Sequence, residues 1–223
     1  MVSFPVGPST SRTRCLASTM RRFGSVSLIF FLVLGHPAVQ ADTKTVLVLG
    51  DSLSAAFQMS EQDGWVHLAQ EQLIEGFDFI NASVSGETTA GARANLPALL
   101  EQHRPSIVIL EIGANDGFRG HPPLAIRSNL MAMATLALQS GAKVIMFEMD
   151  IPANYGPAYR MAFRENYGTV ADALGATLIP SLFEEIFANP EWLQADGIHP
   201  NEKAQPLIRD RVVSAIQSTL RAD

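Results

Sequence analysis

The stretch TVLVLGDSLS, residues 45–54, decides how the rest of the chain is read. Five apolar or β-branched residues run into a glycine, and an acid and a serine follow at once. A run without polar alternation suits a strand covered on both faces, as in a parallel sheet flanked by helices. Four further runs share this character: FDFIN at 77–81, SIVILEI at 106–112, KVIMFEM at 143–149 and ATLI at 176–179. Between and after them, helical patterns cover residues 64–75, 94–103, 124–139, 158–174 and 204–220. In the last of these Ile208, Val212 and Ile216 recur at i, i+4 and i+8, which sets them on one buried face. Strands alternating with helices in this order predict an α/β domain with a parallel sheet of about five strands and helices on both sides.

The 223-residue chain carries a formal net charge of −6 and a single cysteine, Cys15. An acidic balance argues against a nucleic-acid surface or a general attraction to anionic lipid. One cysteine excludes an internal disulfide framework and a multi-cysteine zinc site. Residues 1–41 stand apart: four arginines and no acid, the apolar run VSLIFFLVL at 26–34, then a polar stretch ending Val39-Gln40-Ala41. A basic segment, a short apolar core and small residues at −3 and −1 read as a secretory signal, and the apolar run is too short to span a bilayer. Met20-Arg21-Arg22 makes a more typical start, so residues 1–19 read as an upstream extension or as a mis-assigned start. Cleavage is expected between Ala41 and Asp42, leaving residues 42–223 as one domain in the periplasm or outside the cell. Removal of the leader takes Cys15 with it and moves the formal net charge from −6 to −10. No internal repeat or linker divides the remainder.

In a parallel α/β sheet functional groups collect where strands end, at the carboxyl edge. Three strands run directly into short glycine-containing polar segments, GDSLS at 50–54, ASVSGET at 82–88 and GANDG at 113–117, and DGIHP at 196–200 precedes the final helix. A serine hydroxyl needs a base within hydrogen-bond reach, and that base needs an orienting partner. Asp196 and His199 are three apart across a turn favoured by Gly197, so the carboxylate can take the imidazole Nδ1–H and leave Nε2 for the Ser52 proton. The Ser52 and Gly86 backbone N–H groups and the Asn115 side-chain amide are candidate oxyanion donors. Each residue also has a plainer reading. Ser52 alone is a helix-capping residue, Gly86 a turn glycine and Asn115 an αL turn residue. Asp196 and His199 could cap the last helix or bind a metal, but no other His or Cys has ligand spacing. His67, His103 and His121 have no nearby Asp at this spacing and read as surface or structural, and Asp51 reads as structural or as a support behind the site residues.

These four segments resemble, in order and in approximate spacing, the four blocks of the SGNH (GDSL-type) hydrolases. The likeness extends through GDSLSAAFQM, NLPALL, PANYG and DGIHPN across nearly all of residues 44–220, and is strongest to the periplasmic thioesterase, protease and lysophospholipase group also known as arylesterases. The resemblance implies a three-layer α/β/α fold of flavodoxin-like type, Ser52, Asp196 and His199 as a triad, and Ser52, Gly86 and Asn115 as an oxyanion hole. It implies no metal or organic cofactor, and small acyl esters, thioesters or lysophospholipids as substrates. Carbohydrate acetylesterases share the four blocks and are the alternative within hydrolases; a non-catalytic periplasmic binding protein on the same scaffold is the alternative outside them.

Departures from the family pattern bear on substrate. Ala56 stands where relatives often have glycine. Glu148 and Asp150 stand where they often carry glutamine and arginine, just before the PANYG loop at 152–156. In the family that loop borders the acyl groove, so Glu148, Asp150, Pro152, Asn154 and Tyr155 are groove candidates. The two carboxylates are expected to disfavour anionic substrates.

Overall fold

The computed structural model describes residues 43–73 and 75–221; the expected signal segment and its cleavage site lie outside the described residues. The elements follow as β1 (Lys44–Gly50), α1 (Trp65–Gln72), β2 (Phe77–Asn81), α2 (Thr89–His103), β3 (Ile107–Glu111) and α3 (Ala114–Phe118). Then come α4 (Pro123–Gln139), β4 (Lys143–Phe147), α5 (Pro157–Leu174), β5 (Thr177–Ile179), α6 (Phe183–Phe187) and α7 (Gln205–Arg221). All five strands are parallel, in the order β2-β1-β3-β4-β5. The expected α/β architecture is therefore present.

The strand sequences explain why helices cover both faces. Successive side chains in a strand point to opposite sides. Leu47, Leu49, Val108, Leu110, Val144 and Met146 enter one buried cluster, with α2, α4 and α5. Their alternating neighbours Val46, Val48, Ile107, Ile109, Ile145 and Phe147 enter a second, with α1 and α7. Ile208, Val212 and Ile216 are fully buried in that second layer, each worth about 2 kcal/mol in removed apolar surface.

Two of the departures from the expected elements sit at the site. Helix α2 begins at Thr89 instead of residue 94, because the Thr88 side chain accepts the Gly91 N–H and caps a further turn. That extension leaves Pro97 inside the helix, where it cannot supply a backbone N–H. Helix α3 falls on GANDG, which the sequence presents as a short polar segment: ANDGF is five residues rich in loop formers, and only the turn after β3 winds it up.

The strand order positions the site. After β1 the chain goes to β2 on one side and only then crosses to β3 on the other. The carboxyl ends of β1 and β3 thus flank the place where the winding direction reverses, which opens a crevice. Ser52 follows β1 and Asn115 follows β3, so both stand at that crevice.

Candidate active site

Gly50 ends β1 in register with Glu111 of β3. A side chain at Gly50 would come within 2.7 Å of Ser54 Oγ and 2.8 Å of Glu111 Oε2, so only glycine lets the turn fold over the strand end. The chain then coils tightly through residues 51–59 without forming a regular helix. Asn81 Nδ2 donates to the Ser54 carbonyl at 2.8 Å and ties this coil to β2. Ala56 takes φ +51° and Gln58 φ +55°, conformations in which glycine is at ease and alanine is not. The departure at Ala56 noted in the sequence thus falls on a backbone position that suits glycine.

Ser52 is half-buried at the head of this turn, and its Oγ lies 2.9 Å from His199 Nε2. His199 Nδ1 lies 2.6 Å from Asp196 Oδ2, while Asp196 Oδ1 accepts the backbone N–H groups of Ile198 (2.9 Å) and His199 (3.0 Å). Desolvation alone would raise the Asp196 carboxyl; the His199 ring, the two backbone N–H groups and the His199 charge outweigh it and hold the group down at about 2. Phe57 packs its ring on the imidazole, centroids 4.4 Å apart.

The loop bearing Asp196 and His199 is braced by its own backbone. Gln194 N–H donates to the His199 carbonyl at 2.8 Å, and Leu193 pairs with Pro200 across the loop. Gln194 Nε2 donates to the Pro200 carbonyl at 3.1 Å and to the Phe57 carbonyl at 2.8 Å, joining this loop to the serine turn.

Asn115 sits in the first turn of α3, and its Nδ2 donates to Asp51 Oδ2 at 3.2 Å. Gly86 lies in an exposed turn after β2, where its carbonyl accepts from Arg119 at 3.1 Å. Among the described residues no internal hydrogen bond uses the Ser52 or the Gly86 N–H. Asp116 connects the two loops: its Oδ2 accepts the Thr89 N–H at 2.8 Å and its Oδ1 the Thr89 hydroxyl at 2.7 Å, with His121 Nδ1 at 3.3 Å. His121, read from sequence as surface or structural, has this bracing contact and, among the described residues, no hydrogen bond to Ser52.

A cavity of about 110 Å³ opens beside Ser52 and His199, walled mainly by apolar side chains such as Phe118, Phe147, Leu182, Phe183 and Phe187. Glu148 and Asp150 also line it; Pro152, Asn154 and Tyr155 are not among its lining residues. Tyr155 instead leans on the back of Phe118, ring centroids 6.2 Å apart, with its hydroxyl donating to the Phe118 carbonyl. The negative charge expected from Glu148 and Asp150 is offset. Arg160 donates to both Asp150 oxygens at 2.8 and 2.6 Å, and Arg164 donates twice to Glu148 Oε1 at 3.0 and 2.8 Å. Sequence reasoning did not see these partners, because Arg160 and Arg164 lie one turn apart on α5, far along the chain from β4.

Two buried acids lie under the serine turn. Asp51 is 2% exposed and Glu111 wholly buried. Burial is the main force on both: it raises Asp51 to about 6, against the Leu53 N–H, His199 and Asn115, and it raises Glu111 well above the usual range with help from the Asp51 charge. Glu111 was missed from the sequence because it stands inside the apolar run SIVILEI, where it reads only as the end of a strand.

The chain is similar to known proteins in sequence and in fold. The GDSL-like Lipase/Acylhydrolase family matches residues 48–206. The "Arylesterase" of Vibrio mimicus is 44% identical over 194 residues, covering 86% of this chain and 96% of that protein. The "Thioesterase 1/protease 1/lysophospholipase L1" of Escherichia coli (strain K12) is 38% identical over 195 residues, covering 87% of this chain and 93% of that protein. Among solved structures, the psychrotrophic esterase EstA from Pseudoalteromonas sp., inhibited by monoethylphosphonate, superposes with a TM-score of 0.76 at 40% identity. The match covers 80% of this chain and 99% of that one. With its match running from β1 to the start of α7, the chain belongs to the GDSL-like lipase/acylhydrolase family.

Proposed function

We propose that this protein is a serine esterase that hydrolyses acyl esters and thioesters, lysophospholipids among them, through an acyl-enzyme on Ser52. The observation that carries the reading is the relay from Ser52 Oγ to His199 Nε2 at 2.9 Å and from His199 Nδ1 to Asp196 at 2.6 Å, next to an apolar cavity. His199 removes the Ser52 proton as the hydroxyl attacks the acyl carbonyl, and Asp196 holds the imidazole and balances its developing charge. The oxyanion is received by the Ser52 and Gly86 N–H groups and the Asn115 amide, each donor being worth about 3 kcal/mol in the transition state. His199 then protonates the leaving alcohol or thiol. It next takes a proton from a water as that water attacks the acyl-enzyme carbonyl, and hands the proton to Ser52 Oγ as the ester bond breaks and the acid leaves.

The apolar wall of the cavity supports an acyl chain in that space and favours this reading over a carbohydrate acetylesterase. The relatives named arylesterase and thioesterase/lysophospholipase support the ester and thioester classes. Among the described residues no helix is long and apolar enough to cross a membrane, and no group of three or more His, Cys, Asp and Glu is placed to hold a metal. The proposal includes export: residues 1–41 act as the signal, and residues 42–223 act as one domain in the periplasm or outside the cell.

The test is turnover of p-nitrophenyl esters, lysophosphatidylcholine and acetylated sugars by the wild type and by Ser52→Ala. The wild type is expected to hydrolyse the acyl substrates and to gain the mass of a phosphonate at Ser52. Ser52→Ala should stay folded and lose about 10⁴-fold or more in kcat. Full activity in a folded Ser52→Ala protein defeats the mechanism, and preference for acetylated sugars defeats the substrate class.

A further inference from the structure

Acyl transfer by Ser52, His199 and Asp196 makes no use of the two buried acids beneath the turn. Glu111 Oε2 accepts the Ser54 hydroxyl at 2.7 Å and the Asp51 N–H at 3.3 Å, while Glu111 Oε1 is buried with no partner. Asp51 Oδ1 accepts the Leu53 N–H at 3.2 Å, and Asp51 Oδ2 accepts one N–H of Asn115 at 3.2 Å.

The last of these bonds has a directional consequence. The Asn115 amide is planar and carries two N–H donors and one acceptor oxygen. Giving one N–H to Asp51 fixes where the other N–H points. If the amide turned over, Asn115 Oδ1 would face the Asp51 oxygen, two acceptors with no proton between them. An ionised Asp51, which only accepts, therefore forbids the flip. A protonated Asp51 would donate to Asn115 Oδ1 and stabilise the flipped amide, which would present an acceptor side to the oxyanion.

We propose that Asp51 is a positioning residue for ester hydrolysis: as a carboxylate, it locks the Asn115 amide with its free N–H toward the oxyanion. The inference rests on the oxyanion role given to Asn115 above. The pair has room for one negative charge. The charged or titratable groups that face Asp51 are Glu111 from β3, Asp116 from α3, Tyr167 from α5 and His199 from the loop before α7. Of these only His199, when protonated, favours an ionised Asp51. Burial raises both acids, Asp51 to about 6; Asp51 receives the Leu53 and Asn115 donors while Glu111 Oε1 has none, so Asp51 carries the charge at neutral pH and surrenders it in mild acid.

Two measurements decide the matter. In the resting enzyme the ¹⁵N-labelled side-chain amide of Asn115 should shift with pH in a step centred near 6, present in wild type and in His199→Ala and absent in Asp51→Asn. In steady-state kinetics Asp51→Asn should lower kcat about tenfold or more with KM changed by less than about threefold, the pattern of a donor felt only in the transition state. In an Asn115→Ala background the same change should cost no more than about twofold, because its route to the reaction is gone. A merely structural Asp51 would give equal losses in both backgrounds, with a lower melting temperature and no step at Asn115. An Asn115 amide that ignores pH, or losses that simply multiply, overturns the proposal. If the wild type hydrolyses no ester, the esterase reading fails, and the amide titration by itself still decides whether Asp51 sets the amide.

Discussion

Gly113→Ala tests whether the loop carrying Asn115 is held by backbone geometry and a single buried hydroxyl. Gly113 has φ +117° and ψ −12°, a conformation costing an alanine about 1 to 3 kcal/mol. Its new methyl would overlap Tyr167 Oη, while Tyr167 Cζ and Thr89 Cγ2 would sit at an ordinary 3.5 Å. Tyr167 is fully buried, and its hydroxyl donates to the Ile112 carbonyl at 3.1 Å, so displacing it strands a buried carbonyl for about another 1 to 3 kcal/mol. The single variant should therefore lose about 2 to 5 kcal/mol in urea unfolding, read as a shift of midpoint at constant slope. It should also lose kcat, since Asn115 is two residues on. Tyr167→Phe alone should cost about 1 to 3 kcal/mol through the same carbonyl. Because both variants break one bond and the second removes the atom the first collides with, the double variant should be about 1 to 2 kcal/mol better than the sum. Costs that add to within about 0.5 kcal/mol, or a Gly113→Ala protein as stable as the wild type, would refute this account.

Stability should depend on pH in a direction set by the buried acids. Asp51 is raised from 3.8 to about 6, so the stability its proton confers is fully present below about 3.8 and is lost as pH rises through 6, about 3 kcal/mol in all. Urea midpoints taken from about pH 4 to 7 should show a markedly flatter trend in Asp51→Asn; an unchanged slope would remove Asp51 as the source. Asp196 acts oppositely: held at about 2, it contributes stability above its unfolded value that is lost as pH falls toward 2, so activity lost near pH 5 does not come from its protonation. Arg160→Leu leaves the Asp150 carboxylate, whose side chain is 0% exposed, with only the Ile151 N–H at 2.7 Å and Arg164 at 3.5 Å. It should cost about 3 kcal/mol or more, and adding Asp150→Leu should recover over half of that; no recovery would argue against the ion pair as the cause.

What could be read from the sequence followed from periodicity and local spacing. The alternation of Val46, Leu47, Val48 and Leu49 between two buried layers is implicit in an apolar run long enough to be a strand, and Ile208, Val212 and Ile216 mark their helix by spacing alone. The nearness of Asp196 to His199 was equally legible, because three residues across a turn leave little freedom. Pairings across the sheet were not. Glu111 meets Ser54 only because β3 lies beside β1 in register, and Arg160 meets Asp150 only because α5 packs back over the end of β4. Expected charge at the groove was therefore misjudged: two acids were visible in the sequence, and their two arginines became visible only in three dimensions. Helix α3 was missed for a different reason, since five residues containing Asn, Asp and Gly have little helical tendency apart from the chain around them.

The short loop from Asp196 to His199 has a consequence for how errors spread. Were base and orienting acid on separate elements, two distant alignments would have to be correct before the serine could be activated. Here acid and base share one braced loop and drift together, so a single docking, that of the loop on the serine turn, sets the precision of the relay. The Gln194 side chain, bonded at once to the Pro200 and Phe57 carbonyls, is the latch of that docking. The loop and its latch form a cassette that could be moved as a unit onto another turn built to receive it.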